Sequence, residues 1–114
     1  MRIAGIGFRG AATADAVRDA LGHVEVAALA TLARKADALR ALDLGLPVIA
    51  VAQGDLAGVQ TYTRSSRIDA EIGAGSLAEA AALVAAGPGA RLVMTRRISS
   101  DGMATAAVAE GRDQ

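Results

Sequence analysis

Apolar positions along this chain fall into two periods, and the switches between them mark its elements. Residues 2–8, Arg-Ile-Ala-Gly-Ile-Gly-Phe, are a short apolar run broken by glycine, which predicts a buried strand. Thr13 then stands as an N-cap for a helix running to about Leu21. Ala16, Val17, Ala20 and Leu21 share one face of that helix, and Gly22 is a natural residue to follow its end. Val24–Thr31 is the second predicted strand. A second helix fits Lys35–Leu42, with Ala38, Leu39 and Leu42 on one side, and Gly45 and Pro47 stop it. Leu46–Ala52 is apolar throughout, which predicts a third strand covered on both faces, in a central position.

Residues 53–67 are the polar part of the chain. Gln53–Gly58 has room for one helical turn, and Thr61–Arg67 is hydroxyl-rich and reads as a loop, with Ser66 placed to cap a short helix. Ser76-Leu77-Ala78-Glu79 is a capping box, serine at N-cap and glutamate at N3. Leu77, Ala80, Ala81 and Val84 form the predicted buried stripe of that helix, and Gly87-Pro88-Gly89 ends it. Arg91–Arg96 is the fourth strand. Asp101-Gly102 signals a hairpin, so Met103–Ala109 is a fifth strand antiparallel to the fourth, with Met94 and Met103 facing each other across it. Glu110–Gln114 reads as a frayed tail. Strand and helix alternate three times before the closing hairpin. This order predicts an α/β fold: one three-layer α/β/α sandwich over residues 1–114, with a mixed five-stranded sheet whose last strand is antiparallel.

Composition narrows the partners. Hydrophobic residues make up 53% of the chain, yet Phe8 and Tyr62 are its only aromatics, so the core must be built from Ala, Val, Leu and Ile. Twelve basic and twelve acidic residues cancel, and a chain so balanced lacks the footprint of a nucleic-acid binder. The scarcity of aromatics argues further against stacking on single strands. There is no cysteine, hence no disulfide, thiolate nucleophile or Cys-ligated metal. No leader-like segment and no membrane-length apolar run is seen, so a soluble, cytoplasmic protein without a membrane partner is expected.

Chemistry concentrates at the start. Gly5, Gly7 and Gly10 give Gly-x-Gly-x-x-Gly between a strand and a helix. A dinucleotide site would also need an acidic residue at the far end of the second strand, where Thr31 stands instead. Two other readings remain: glycines that permit a tight strand-to-helix turn, and a loop that takes an anionic ligand beside Arg9. The second is preferred. Catalytic machinery is not evident. His23 is the only histidine and sits in a turn, no spacing proposes a metal site, and no close pair of acids suggests acid–base work. No catalytic residue, metal or cofactor is assigned.

Taken together, Gly5-Ile6-Gly7-Phe8-Arg9-Gly10, the hydroxyl cap Thr13, Ala30-Thr31, Lys35-Ala36-Asp37, Leu44-Gly45-Leu46-Pro47, Thr63-Arg64-Ser65-Ser66, the helix beginning at Ser76 and the basic hairpin from Thr95 to Ala109 resemble the CobE / CbiG C-terminal domain family of cobalamin biosynthesis. The resemblance spans nearly the whole chain. CbiG-type proteins carry additional N-terminal domains, so a chain opening at its own Met1 is expected to be of the stand-alone CobE type. The family implies a corrinoid or precorrin intermediate as ligand, a broad apolar ring bearing acetate and propionate groups. The ligand-binding residues implied are Gly5, Gly7, Arg9, Gly10, Thr31, Lys35, Arg64, Ser65 and Ser66, gathered beyond the carboxyl ends of the parallel strands. Each has a plainer reading: Arg9 as a solvated loop charge, Lys35 with Asp37 as an exposed helix start, Ser65 and Ser66 as a helix cap, Arg96 and Arg97 as solvated hairpin flanks. A carrier or accessory role is preferred. The alternatives are an enzyme that hydrolyses or rearranges a precorrin, as in the lactone-opening chemistry of CbiG-type proteins, and a module docking on another cobalamin-pathway enzyme. The alanine-rich helix surface also leaves a homodimer open.

Overall fold

The computed structural model describes residues 1–59, 61 and 76–112. Its centre is a five-stranded sheet. The strands are β1 (Arg2–Phe8), β2 (Ala28–Leu32), β3 (Val48–Val51), β4 (Arg91–Ile98) and β5 (Ala104–Glu110), in the order β3-β2-β1-β5-β4. β1, β2 and β3 are parallel, and β5 runs antiparallel to both β1 and β4. The helices are α1 (Ala14–Leu21), α2 (Ala36–Ala41, entered through a 3-10 turn at Ala33–Lys35), α3 (Gln53–Leu56) and α4 (Leu77–Ala86). The predicted α/β class and mixed sheet with an antiparallel final strand are what the chain adopts.

Side chains alternate across the sheet and divide the core in two. Ile3, Ala30, Leu32 and Val51 pack beneath α4 with Leu56 of α3. Ala4, Ile6, Leu29 and Val108 pack on the opposite face against Val17 of α1 and Leu39 of α2. The helix starts follow local chemistry. Thr13 Oγ1 accepts the Ala16 N–H at 3.2 Å, and Ser76 Oγ accepts the Glu79 N–H at 3.3 Å. Gly22 stops α1 at a positive φ of 71° with its own N–H on the Arg18 carbonyl.

Six expectations change. β2 begins at Ala28, because its parallel partner begins at Arg2 and the register pairs Ile3 with Ala28. Residues 24–27 therefore precede the ladder. β3 is an edge strand and not a central one, since β5 returns to the free side of β1 and makes β1 the middle of the sheet. Its apolar run reflects cover on both faces: Ile49 joins one core and Val48 the other. On α4 the fully buried stretch is Ala78–Ala82, while Leu77 and Val84 are half-buried. On α2, Ala36 and Leu39 are buried and Ala38 is exposed. Finally, Met94 lies opposite Val108, and two register shifts in β4 displace the hairpin pairing. Met103 lies in the loop ahead of β5, where Asp101 Oδ1 accepts both the Ser99 hydroxyl at 2.6 Å and the Met103 N–H at 3.0 Å. The tail predicted from Glu110 is partly ordered: Glu110 ends β5 and the Gly111 N–H donates to the Met1 carbonyl at 2.9 Å. The capping and loop expectations for residues 62–75 lie outside the described residues.

Candidate functional site

Three adjacent parallel strands bring their carboxyl ends to one rim of the sheet. Leu32 is level with Val51, and Gly5 is level with Ala30, so the residues after β1, β2 and β3 emerge side by side. Neighbouring strands lie about 4.8 Å apart. The first turn of α4 covers the same end of β1, because Leu77 is the helix residue nearest Gly7 while Ala78 and Ala82 lie over Gly5.

The predicted site residues divide between rim and interior. Arg9 and Gly10 are exposed at the rim. Arg9 is fixed through its backbone: its N–H donates to the Met103 carbonyl at 2.9 Å and its carbonyl accepts the Ala12 N–H at 2.9 Å, closing a tight turn. Lys35 stands at the end of the 3-10 turn after β2, half-buried. Its Nζ donates to the Phe8 carbonyl at 3.0 Å and lies 4.7 Å from the centroid of the Phe8 ring. Thr31 is fully buried, and its hydroxyl donates to the Ile6 carbonyl at 2.7 Å, tying β2 to β1. Gly5 lies inside β1 beneath α4, where a Cβ would come within 1.9 Å of the Ala78 carbonyl oxygen. At Gly7 a Cβ would meet Thr105 Oγ1 at 2.7 Å. The geometry thus brings Arg9, Gly10 and Lys35 to the rim and places Gly5 and Thr31 within the packed sheet. Arg64, Ser65 and Ser66 lie outside the described residues.

Two residues of the rim escaped the sequence reading. Phe8 is the only phenylalanine of the chain, and its place at the end of β1 was a usable signal. Arg34 precedes Lys35 and is exposed. Among the described residues no carboxylate pairs with Arg9, Arg34 or Lys35, whereas Arg18, Arg40, Arg2 and Arg91 each hold one.

The electrostatically distinct carboxylates lie elsewhere. The backbone N–H of Ser100 holds the Asp19 carboxyl below its ordinary range, and the Ser99 hydroxyl does the same for Asp101. The hydrogen bond from Arg2 lowers Glu110. Glu79 is fully buried in α4 with Oε2 accepting the Arg96 backbone N–H at 2.8 Å. No cluster of three or more metal-ligating side chains occurs among the described residues, and none of their helices is long and apolar enough to cross a membrane. A hollow of about 170 Å³ opens beside Leu39, Arg40, Leu44 and Val48, at the amino end of β3 and so away from this rim.

The open five-stranded sheet with helices on both faces places the chain in the α/β class. Within that class, this chain belongs to the family described as the cobalamin synthesis G C-terminus, whose model matches residues 2–109. It is a protein of cobalamin biosynthesis. It is similar to CobE, a protein from the cobalamin (vitamin B12) biosynthetic pathway, at 34% identity and a TM-score of 0.80, covering 96% of this chain and 92% of CobE. It is also similar to the cobalamin biosynthesis protein chiG from Agrobacterium tumefaciens str. C58, at 38% identity and a TM-score of 0.71, covering 99% of this chain and all of that one. No curated protein sequence matches it.

Proposed function

We propose that this protein binds a corrinoid intermediate of cobalamin biosynthesis at the carboxyl rim of its sheet and serves as its carrier or accessory protein. The observation that carries this reading is the rim itself: Arg9 and Lys35, neither paired with a carboxylate among the described residues, stand at the ends of adjacent strands, with Lys35 over the Phe8 ring. A corrinoid offers the complement, an apolar ring edged with acetate and propionate groups. Arginine's planar fork suits a carboxylate, and a lysine adds a point charge. Neither role needs a nucleophile or a general acid, in keeping with the carrier reading.

The test is a titration of the protein with cobyrinic acid followed by visible absorbance. Saturable spectral change is expected, weakened about tenfold in Arg9→Ala and in Lys35→Ala, as fits the loss of one charge-assisted hydrogen bond. Circular dichroism should be unchanged in both variants. Absence of any spectral change with the unaltered protein overturns the reading. A mass change in the recovered corrin would reassign the protein as an enzyme.

A further inference from the structure

We propose that Asp101 is a positioning residue for Arg9: through Met103 it fixes the turn that presents the Arg9 guanidinium, so that the hairpin between β4 and β5 sets affinity at the rim without touching the ligand. This deepens the function proposed above and rests on it. Past Phe8 the chain leaves the ladder, and packing does not hold the turn that follows. A Cβ at Gly10 would meet nothing within 4 Å, and Arg9, Gly10 and Ala11 are all exposed. Two backbone hydrogen bonds hold Arg9 instead. One closes the turn onto itself, from the Ala12 N–H to the Arg9 carbonyl at 2.9 Å. The other ties the turn to the neighbouring hairpin, from the Arg9 N–H to the Met103 carbonyl at 2.9 Å.

Met103 is itself held by a side chain. Asp101 Oδ1 accepts the Met103 N–H at 3.0 Å and the Ser99 hydroxyl at 2.6 Å. Ser99 is buried, and its hydroxyl oxygen in turn accepts the Ala104 N–H at 3.1 Å. One exposed carboxylate therefore joins the two sides of the hairpin loop around the residue on which Arg9 rests. The loop is also docked on α1, where Asp19 Oδ2 accepts the Ser100 N–H at 2.6 Å. A loop tied in this way before a ligand arrives spares the ligand the cost of ordering it. Without Asp101 the Met103 N–H loses its acceptor, and the carbonyl that anchors the Arg9 turn loses its fixed place. The guanidinium then meets the ligand from a wider spread of positions, and affinity falls although no ligand contact has been removed.

The experiment is a double-mutant cycle between Asp101 and Arg9, read by absorbance titration with cobyrinic acid. Asp101→Ala should weaken binding several-fold, though less than Arg9→Ala does, with circular dichroism unchanged. Asp101→Asn keeps an oxygen acceptor for both bonds and should restore the affinity. In the Arg9→Ala background Asp101→Ala should have no further effect, an outcome that a general loss of structure would not give. Asp19→Ala releases the same loop from α1 and takes the place of Asp101→Ala if the latter fails to fold. Amide hydrogen exchange supplies a readout that needs no corrinoid: the Arg9 N–H should exchange faster in Asp101→Ala. Undiminished affinity in Asp101→Ala, no restoration by Asp101→Asn, or losses that simply multiply in the double variant overturn the inference while corrinoid binding stands. Absence of binding by the unaltered protein overturns the function on which it rests, and the exchange rate of the Arg9 N–H then decides by itself whether Asp101 holds the turn.

Discussion

Thr31 illustrates how one residue type serves two ends. A threonine closing a buried strand beside a glycine-rich turn suggests a ligand contact, yet its hydroxyl spends its donor on the Ile6 carbonyl at 2.7 Å inside the sheet. An intramolecular bond of this kind contributes about 1 kcal/mol, and leaving a buried acceptor without it costs about 1–3 kcal/mol. Thr31→Val keeps shape and β-branching while removing that donor. Urea unfolding should show a loss of about 1–2 kcal/mol, with the affinity for cobyrinic acid unaltered. A fall in affinity without loss of stability would return Thr31 to the binding site. Gly5 makes the same point without a side chain. In sequence, a glycine at a strand end reads as backbone laid open to a ligand. In the fold, the space of its missing Cβ is filled by the α4 backbone at Ala78 and Ala82. Both are conditions of close approach, and only the third dimension says what approaches.

At the scale of elements, α4 is held by its two ends and by a buried acid. Ser76 caps the helix, and three residues on Glu79 reaches the Arg96 N–H of β4 with Oε2 at 2.8 Å. Arg96 falls between two register positions of the β4–β5 ladder, in the stretch where the pairing shifts. A side-chain acceptor thus serves a strand N–H where the ladder is irregular. Ser76→Ala removes the cap and should lower stability by about 1 kcal/mol in thermal or urea unfolding, the ordinary value for an N-cap. A change near zero would mean that tertiary packing of Ala78–Ala82 alone fixes the helix start. Caps are local chemistry, which is why α1 and α4 were legible to within a residue from Thr13, Gly22 and Ser76. The start of β2 and the place of β3 were not, because both depend on a partner strand: β2 cannot pair before β1 begins, and an apolar run tells of cover without telling which neighbour lies beside it. The site divides in the same way. The rim positions of Arg9 and Lys35 were legible because both follow the carboxyl ends of predicted strands. The contact of Phe8 with Lys35 was not, because a ring beneath an ammonium arises only when β1 and the turn after β2 end side by side.

Over the whole molecule the two rims of the sheet are built on opposite electrostatic plans. At the carboxyl rim Arg9, Arg34 and Lys35 have no acidic partner among the described residues. At the other rim Glu110 closes the sheet, its two carboxylate oxygens accepting from Arg2 of β1 at 3.1 Å and from Arg91 of β4 at 3.0 Å. Glu110 lies on β5 between those strands, so the trio laces three neighbouring strands together where the chain begins and ends. The hydrogen bond from Arg2, followed by the charge of Arg91, holds the carboxyl below its ordinary 4.5. A carboxyl depressed in the folded state binds its proton less readily there than in the unfolded chain, so acid favours unfolding. The stabilisation is fully present above pH 4.5 and is lost as the pH falls below that value and through the folded-state pKa. Asp19 and Asp101 act in the same sense from an ordinary 3.8, and both brace the hairpin loop. Glu110→Gln should therefore melt below the unaltered protein at neutral pH, with the gap closing as acid is added until the two melting curves coincide. All three residues are partly exposed, so salt should narrow the gap as well. A gap that persisted unchanged into strong acid would show that Glu110 acts through its shape and hydrogen bonds, not through its charge. Corrinoid affinity should be indifferent to Glu110→Gln at every pH where the protein is folded, because the altered residue lies at the far end of the sheet from Arg9 and Lys35.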